Sequence, residues 1–172
     1  MPPELLKGRQ ILAVDDEKDV LDVLEEELQD YGVRIERVYS YEEAIAQMSS
    51  LTYDLVILDI MGVSGFELLE YAAAKKIPVV MLTAHALSSQ YLKKSVELGA
   101  RAYLPKDQLG QIAPFLEETM ALSYQSGWKS LFSKLGAHFG TRFGPEWRKT
   151  EKEFWERFEK DLEVSESNII QP

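Results

Sequence analysis

The sequence has no cysteine among its 172 residues, which excludes a disulfide framework and thiolate chemistry. It has no apolar run long enough to span a membrane, and its N-terminus lacks the apolar segment of a signal peptide. Positive charge is scarce: 19 Lys and Arg residues against 29 Asp and Glu residues leave a net charge of −10. That charge opposes nonspecific binding to nucleic-acid phosphates. We therefore expect a cytoplasmic globular protein that binds neither membranes nor nucleic acid.

Charged and aromatic residues are divided unevenly along the chain. Residues 1–123 hold 11 Lys/Arg and 21 Asp/Glu, whereas residues 124–172 hold 8 of each. Nine of the 18 aromatic residues, including all three tryptophans, follow Ser123. Such a shift in composition marks a boundary. We predict one domain over residues 1–122, a C-terminal helical hairpin over residues 123–164 and a flexible tail over residues 165–172.

Four short apolar runs each lead into polar residues or a lysine. Uninterrupted apolar runs of this length are typical of strands buried on both faces of a parallel sheet. The runs, with the residues that follow them, are Ile11–Val14 with Asp15 and Asp16, Leu55–Leu58 with Asp59, Val79–Leu82 with Thr83, and Ala102–Leu104 with Pro105 and Lys106. Open α/β sheets bind ligands at the carboxyl ends of their strands. The sequence therefore predicts three carboxylates, a hydroxyl and an ammonium at one edge of a sheet.

Amphipathic helical patterns alternate with these strands. Residues 33–39 alternate imperfectly between apolar and polar side chains, which indicates a further strand at an edge of the sheet. Capping-box patterns begin at Ser40 and Ser64. Pro114 suits the first turn of a fifth helix, so we expect a short turn before a main helix from about residue 113. The alternation predicts a doubly wound α/β fold with a five-stranded parallel sheet and helices on both faces.

The C-terminal segment carries two amphipathic stripes rich in aromatic residues. They consist of Trp128, Leu131, Phe132, Leu135 and Phe139, and of Trp147, Phe154, Trp155, Phe158 and Leu162. We expect Gly136, Gly140 and Gly144 to loosen the connection between the two helices, and Pro145 to start the second. So many aromatic side chains are not left exposed in a soluble protein. The stripes should pack against each other, the fifth helix or a second protomer.

The predicted carboxylate cluster suits phosphoryl transfer. Three converging carboxylates repel one another, and Mg²⁺ relieves that repulsion with one or two carboxylates, waters and phosphate oxygens. A carboxylate can also act as a nucleophile and form an aspartyl phosphate. Lys106 could neutralise charge on the phosphoryl group, and Thr83 could donate a hydrogen bond to it.

Four motifs, in this order, resemble the CheY-like receiver domain of two-component response regulators. They are Val14-Asp15-Asp16-Glu17, Leu58-Asp59, Thr83-Ala84 and Tyr103-Leu104-Pro105-Lys106, within a match that covers residues 10 to about 122. The resemblance implies a flavodoxin-like sheet of strand order 2-1-3-4-5. It also implies that Asp59 accepts a phosphoryl group from a sensor histidine kinase or a phosphotransfer protein.

The resemblance further implies a Mg²⁺ site and a conformational switch. Asp16 would bind the ion directly, Asp15 would assist through water, and Asp59 and the Met61 carbonyl oxygen would be further ligands. Lys106 would pair with the phosphoryl group, Thr83 would move to bond it, and the aromatic ring of Tyr103 would rotate with that move. Such a domain is a signalling module with at most self-phosphorylation and autodephosphorylation activity, not an enzyme with a separate substrate.

Two departures from the family pattern concern loops beside the site. The loop after Asp59 is two residues short and lacks the usual proline, so Gly62 is expected to supply a tight turn before Gly65. This shorter loop affects the position of the Met61 carbonyl oxygen and the access to the site. In addition, Asp107 stands where a proline often follows the lysine, which excludes a cis-proline there.

Other readings of these residues and of the whole chain stay open. Asp15 and Asp16 could cap the first helix, and His85, near the pocket mouth, could affect phosphoryl hydrolysis or be an exposed loop residue. The favoured function is a response regulator that signals to an effector protein. A homodimer through the C-terminal helices stays open beside it. One alternative is a transcriptional response regulator with a small DNA-binding output, but the tail has no basic recognition helix. Another is an aspartate-nucleophile phosphohydrolase, which requires an acid–base carboxylate where Met61 stands.

Overall fold

The computed structural model describes residues 5–84, 89–144, 146–149 and 151–170, without the side chains of residues 142 and 164–170. His85 and Pro145 lie outside the described residues. The strands are β1 (Gln10–Val14), β2 (Arg34–Val38), β3 (Leu55–Asp59), β4 (Val79–Thr83) and β5 (Ala102–Pro105). The helices are α1 (Lys18–Leu28), α2 (Tyr41–Ser50), α3 (Gly65–Ala74), α4 (Ser89–Glu97), α5 (Ile112–Ala121), α6 (Tyr124–Phe143) and α7 (Lys152–Ile170).

The five strands form one parallel sheet in the order β2-β1-β3-β4-β5, which confirms the predicted order. Every residue of β3 and β4 is buried, because helices cover both faces of these central strands. β2 lies at one edge, as its imperfect alternation indicated. Within the described ranges, no helix is long and apolar enough to cross a lipid bilayer.

One predicted helix cap is confirmed and the other is wrong. The Ser40 hydroxyl accepts a hydrogen bond from the Glu43 backbone N–H at 3.2 Å and begins α2. Ser64 precedes α3 but makes no side-chain cap, because its backbone is left-handed, with φ of 56°. The short loop before α3 instead closes through its backbone, where the Gly65 N–H donates to the Ile60 carbonyl at 3.2 Å.

The segment after β5 follows the predicted arrangement of a turn and then a helix. A 3₁₀ turn covers Lys106–Gln111, and α5 begins at Ile112. Pro114 falls in the first turn of α5, where its missing N–H has no helical partner to lose. A break follows α5, and the Ser123 hydroxyl accepts the Ser126 N–H at 3.2 Å to cap α6.

The two C-terminal helices, α6 and α7, form the C-terminal hairpin. α6 runs through Gly136 and Gly140 without a break, so the prediction that these glycines loosen the connection is wrong. Both glycines keep helical geometry, and only Gly144, with φ of 100°, leaves it. α7 continues to Ile170, beyond the predicted end of the hairpin at residue 164. The division into domain, hairpin and flexible tail stays a prediction.

The aromatic stripes of the hairpin pack against each other around Phe132. Its ring lies between 5.9 and 6.4 Å, centroid to centroid, from five aromatic rings of α6, α7 and the turn between them. These neighbours are Trp128, Phe139, Trp147, Trp155 and Phe158. Most of this cluster is buried, so the aromatic faces are covered within one chain.

The hairpin also packs on the sheet, where α6 lies against the edge strand β5. The Trp128 indole N–H donates to the Ala100 carbonyl at 3.0 Å, and both residues are fully buried. At the α4 side, the Lys93 ammonium lies 3.1 Å from the Glu151 carboxylate. An edge strand covered in this way presents less unpaired backbone to other chains.

Candidate functional site

Two buried carboxylates lie side by side at the carboxyl edge of the sheet. β1 and β3 are neighbours with Val14 aligned to Leu58, so the next residues, Asp15 and Asp59, end their strands together. Asp15 is 0% exposed and Asp59 is 5% exposed, whereas Asp16 is exposed. Asp15 accepts the Glu17 backbone N–H at 2.9 Å but does not cap α1, whose first residue has no side-chain cap. The helix-cap reading of Asp15 and Asp16 therefore does not account for the burial of Asp15.

Lys106 joins the two buried carboxylates. Its ammonium lies 3.1 Å from the Asp15 carboxylate, 3.1 Å from the Asp59 carboxylate and 3.3 Å from that of Glu17. The strand register places it there, because Pro105 at the end of β5 aligns with Thr83 at the end of β4. Burial lowers the pKa of Lys106, but hydrogen bonding to Asp15 and the charge of Asp59 outweigh it and leave the pKa above its ordinary value. The lysine is therefore a fixed positive charge at this site.

The ionised forms of Asp15 and Asp59 remain destabilised despite the Lys106 ammonium. Burial, followed by the negative charge of Asp15, raises the pKa of Asp59 to about 6, although Lys106 opposes both. Burial likewise raises the pKa of Asp15 above its ordinary value. One ammonium thus compensates two buried carboxylates incompletely, and further positive charge would stabilise their ionised forms.

The donor set fits a hard divalent cation. Asp15, Asp16 and Glu17 can each present a carboxylate oxygen within 4.8 Å of the others. One Asp15 oxygen is buried and has no hydrogen bond of regular geometry, although the Lys106 ammonium lies 3.1 Å from it. A cation satisfies such an oxygen, and carboxylates are the ligands that Mg²⁺ prefers. Asp59 is outside this three-residue group, but its pKa responds to the charges of Asp15 and Asp16, which places it beside the same site.

Two glycines allow the shortened loop after Asp59 to close over the cluster. Gly62 has φ of 82°, as its predicted role in a tight turn requires, and a Cβ there would lie 2.5 Å from an Asp16 carboxylate oxygen. A Cβ at Gly65 would lie 2.1 Å from the Asp59 carbonyl oxygen. Met61, between them and the strand, is half exposed. The backbone therefore approaches the site more closely than any side chain would permit.

Thr83 and Tyr103 lie in the core beneath this edge. Thr83 ends β4, is 3% exposed and donates its hydroxyl to the Ala84 carbonyl at 3.1 Å. Tyr103 is fully buried, and burial raises its pKa to about 12 although the Thr83 hydroxyl opposes the rise. The two hydroxyls are thus neighbours, but that of Tyr103 has no hydrogen bond of regular geometry. Its ring meets the edge of Phe139 on α6 at 5.9 Å.

Sequence reasoning missed two features of the site. Glu17 contacts Lys106 and belongs to the carboxylate group, and its position directly after Asp16 was the available signal. His138 lies 3.4 Å from the Asp107 carboxylate, nitrogen to oxygen. The 30 residues between those two positions gave no sequence signal, because the contact exists only once α6 has docked.

Comparison with known proteins gives a consistent result. The family model described as the response regulator receiver domain matches residues 11–113. Regulatory protein VanRc of Enterococcus gallinarum is 34% identical over 102 residues, which cover 58% of this chain and 44% of that protein. Transcriptional regulatory protein YvrH of Bacillus subtilis (strain 168) is 36% identical over 108 residues, which cover 59% of this chain and 44% of that protein. This chain therefore matches less than half the length of either relative.

A solved structure agrees with the fold. The response regulator receiver domain protein (CheY-like) from Methanospirillum hungatei JF-1 is 27% identical, with a TM-score of 0.57. The superposition covers 67% of this chain and 98% of that one. The fold likeness therefore covers nearly all of that protein and about two thirds of this chain.

Proposed function

This chain belongs to the family of response regulator receiver domains, and from that premise we propose that it is a cytoplasmic response regulator switched by phosphorylation of Asp59. The phosphoryl donor is a sensor histidine kinase or a phosphotransfer protein, and the output is a contact with an effector protein. The observation that carries the proposal is the buried Asp59 carboxylate at the end of β3, 3.1 Å from the Lys106 ammonium and beside the Asp15 carboxylate.

The site has the parts that carboxylate phosphorylation requires. An Asp59 oxygen forms a bond to phosphorus while the bond from phosphorus to the donor breaks, and the donor leaves with the electron pair. A pKa of about 6 leaves Asp59 largely ionised at neutral pH, as a nucleophile must be. Lys106 is placed to compensate charge on the transferred group.

The cation that receiver domains generally bind would be held by Asp15, Asp16, Asp59 and the Met61 carbonyl oxygen, with Glu17 close by. When bound, it supplies the positive charge that neutralises phosphoryl oxygens and the crowded carboxylates. The buried carboxylates of Asp15 and Asp59, which share one ammonium, support this assignment.

The same geometry supports a path from the site to the C-terminal hairpin. Thr83, moving toward a phosphoryl group on Asp59, leaves space above Tyr103, whose ring contacts Phe139 of α6. Phosphorylation shifts an equilibrium only through such differential contacts. Within the described ranges, the exposed large hydrophobic residues lie between Val23 and Met61 and not on the hairpin. A homodimer through the hairpin stays a prediction.

A transcriptional output is the second candidate, because the relative YvrH is named a transcriptional regulatory protein. The receiver-domain match ends at residue 113, before the hairpin, however, and residues 124–172 carry no net charge. A phosphohydrolase is the third, and Met61 stands where its acid–base carboxylate would be. We favour output through protein contact over both.

Labelling with acetyl phosphate and Mg²⁺ tests the proposal. Intact-protein mass spectrometry should show one phosphoryl group on the parent chain and none on Asp59→Asn. Asp54→Asn, directly before the same strand, is the matched control and should be labelled like the parent. Undiminished labelling of Asp59→Asn would refute the assignment, and sustained hydrolysis of excess phosphoester substrates would favour the phosphohydrolase instead.

A further inference from the structure

A cavity of about 250 Å³ lies between α6, α5 and β5, where the hairpin docks on the sheet. Residues of β5, of the 3₁₀ turn after it and of α5 line one part of its wall, and residues of α6 line the rest. The α6 residues share one face of the helix, because they follow the spacing i, i+3, i+4, i+7 and i+8. They are Gly127, Ser130, Leu131, Lys134 and Leu135. The cavity therefore belongs to the junction of hairpin and sheet and is separate from the Asp59 site.

The inner wall of the cavity is apolar. Ala102 and Leu104, two positions apart on one face of β5, are both buried. Phe115 of α5 and the buried Leu131 of α6 line it from the sides. An apolar cavity of about 150 Å³ is large enough to bind benzene. This larger cavity therefore has room for an aromatic ring that carries a substituent.

The charged side chains at the cavity neutralise each other. The Glu118 carboxylate of α5 accepts hydrogen bonds from the Lys134 ammonium and the Ser130 hydroxyl of α6. The Thr119 hydroxyl donates to the Phe115 carbonyl at 2.8 Å within α5. A charged molecule in the cavity would lose its hydration without gaining an unpaired opposite charge. The lining therefore favours an uncharged molecule.

Two side-chain amides supply the other polar groups of the lining. Gln108 lies within the 3₁₀ turn and Gln111 ends it. An amide side chain has two N–H donors and a carbonyl acceptor, so it can pair with a second amide through both kinds of group. Gln111, Pro114 and Lys134 are exposed, and they mark the side on which the cavity opens to solvent.

We propose that this cavity is a binding site for a small, uncharged aromatic compound that carries an amide-like hydrogen-bonding group. The inference goes beyond the proposed function and does not require phosphorylation of Asp59. Because the wall is divided between α6 and the sheet side, a bound molecule contacts both and needs the docked hairpin. Occupancy therefore favours the docked state over an undocked one.

Benzamide, a ring with one neutral amide, is the probe, and benzoate, which has the same shape and a negative charge, is its control. Titration of the ¹⁵N-labelled full-length chain should shift the backbone amide signals of residues 108–119 and 127–135. The expected dissociation constant for benzamide is about 1 mM or tighter, as for other small fragments. Benzoate should bind at least about tenfold more weakly, because its charge has no partner. Equal binding of the two compounds would overturn the uncharged class.

Two glycines of α6 provide a matched pair of variants. A Cβ at Gly127 or at Gly140 would meet no atom within 4 Å, but only Gly127 lines the cavity. Gly127→Leu should fill the cavity and weaken benzamide binding at least about tenfold, whereas Gly140→Leu should bind it like the parent. Both should fold, because leucine has a higher helix propensity than glycine. Gln111→Leu should weaken binding about 2- to 10-fold through the loss of one hydrogen bond.

Amide hydrogen exchange tests the link between the cavity and hairpin docking. With benzamide at about ten times its dissociation constant, α6 amides that exchange through undocking should exchange about tenfold more slowly. The parent and Gly140→Leu should show this change, and Gly127→Leu should not. Binding without slower exchange in α6 would overturn the link to docking.

The site itself has a direct refutation. An absence of benzamide-dependent shifts around the cavity, or equal benzamide binding by the parent and Gly127→Leu, would mean that the cavity is only a water-filled gap between helices. Labelling of Asp59 by acetyl phosphate is a separate measurement. Its failure would overturn the proposed function and leave the benzamide result unchanged.

Discussion

Replacing Asp59 with asparagine should stabilise the fold at neutral pH in the absence of divalent cations. Asparagine has nearly the same shape, so the change removes a charge and little else. In the folded protein the pKa of Asp59 rises from 3.8 to about 6. Each tenfold change in proton affinity corresponds to about 1.4 kcal/mol, so the ionised carboxylate costs the folded state up to about 3 kcal/mol.

The pH dependence follows from the direction of that rise. Between about pH 4 and pH 6 the folded chain keeps a proton on Asp59 that the unfolded chain has lost. The free energy of unfolding contributed by this group therefore falls as pH rises through that window. Because Asp15 also has a raised pKa and titrates in both proteins, the informative quantity is the difference between parent and variant. That difference should be near zero at pH 4 and reach its full value above pH 6.

Urea denaturation followed by circular dichroism measures this difference, with EDTA present and then with Mg²⁺. A bound cation offsets the same repulsion, so Mg²⁺ should stabilise the parent more than the variant and narrow the gap. Asp54→Asn, directly before β3, should not show this gain in stability above pH 6. A variant less stable than the parent above pH 6 without Mg²⁺, or a pH-independent difference, would show that the Asp59 charge is not destabilising.

Three further predictions concern packing. Gly65→Ala should lower the free energy of unfolding by at least about 2 kcal/mol, because the new Cβ would lie 2.1 Å from the Asp59 carbonyl oxygen. Gly127→Ala, whose new Cβ would meet open space, should raise that free energy by up to about 1 kcal/mol. Equal urea midpoints for the two variants would contradict this prediction. Trp128→Phe should cost about 1–3 kcal/mol because the buried Ala100 carbonyl loses its 3.0 Å partner, and an unchanged midpoint would mean that this bond contributes nothing. Truncation after Ser123 should lower the calorimetric melting temperature and cause association in light scattering, and a stable monomer would show an independent hairpin.

The strand ends were predictable because a strand that is buried on both faces requires an uninterrupted run of apolar residues. Leu55–Leu58 is uninterrupted by polar residues, and the change to Asp59 marks the end of the strand. Parallel pairing then brings Asp15 and Lys106 to the same edge without further information. The fold class and the meeting of Asp15, Asp59 and Lys106 at one edge follow from this pattern, although the part of Glu17 does not.

Features that depend on docking and on loop geometry were not predictable in the same way. The Ser64 cap failed because the short loop imposes a left-handed backbone that no capping pattern encodes. Gly136 and Gly140 fit a helix once aromatic packing fixes α6, which outweighs their low helix propensity. The contact of His138 with Asp107 arises from the placement of α6 on β5. Local sequence propensity does not include loop geometry, aromatic packing or the docking of α6.

The confinement of all three tryptophans to residues 128–155 gives the molecule a built-in optical probe. Excitation at the red edge of protein absorption reports on the hairpin alone, since the sheet contributes only tyrosines. Trp128 is buried and donates its indole N–H to the Ala100 carbonyl beside β5. The rings of Trp155 and Trp147 lie 5.0 Å apart, centroid to centroid. Separation of the hairpin from the sheet would therefore shift the emission of the first indole, while unfolding of the hairpin would shift all three. One unlabelled fluorescence spectrum can distinguish undocking from melting.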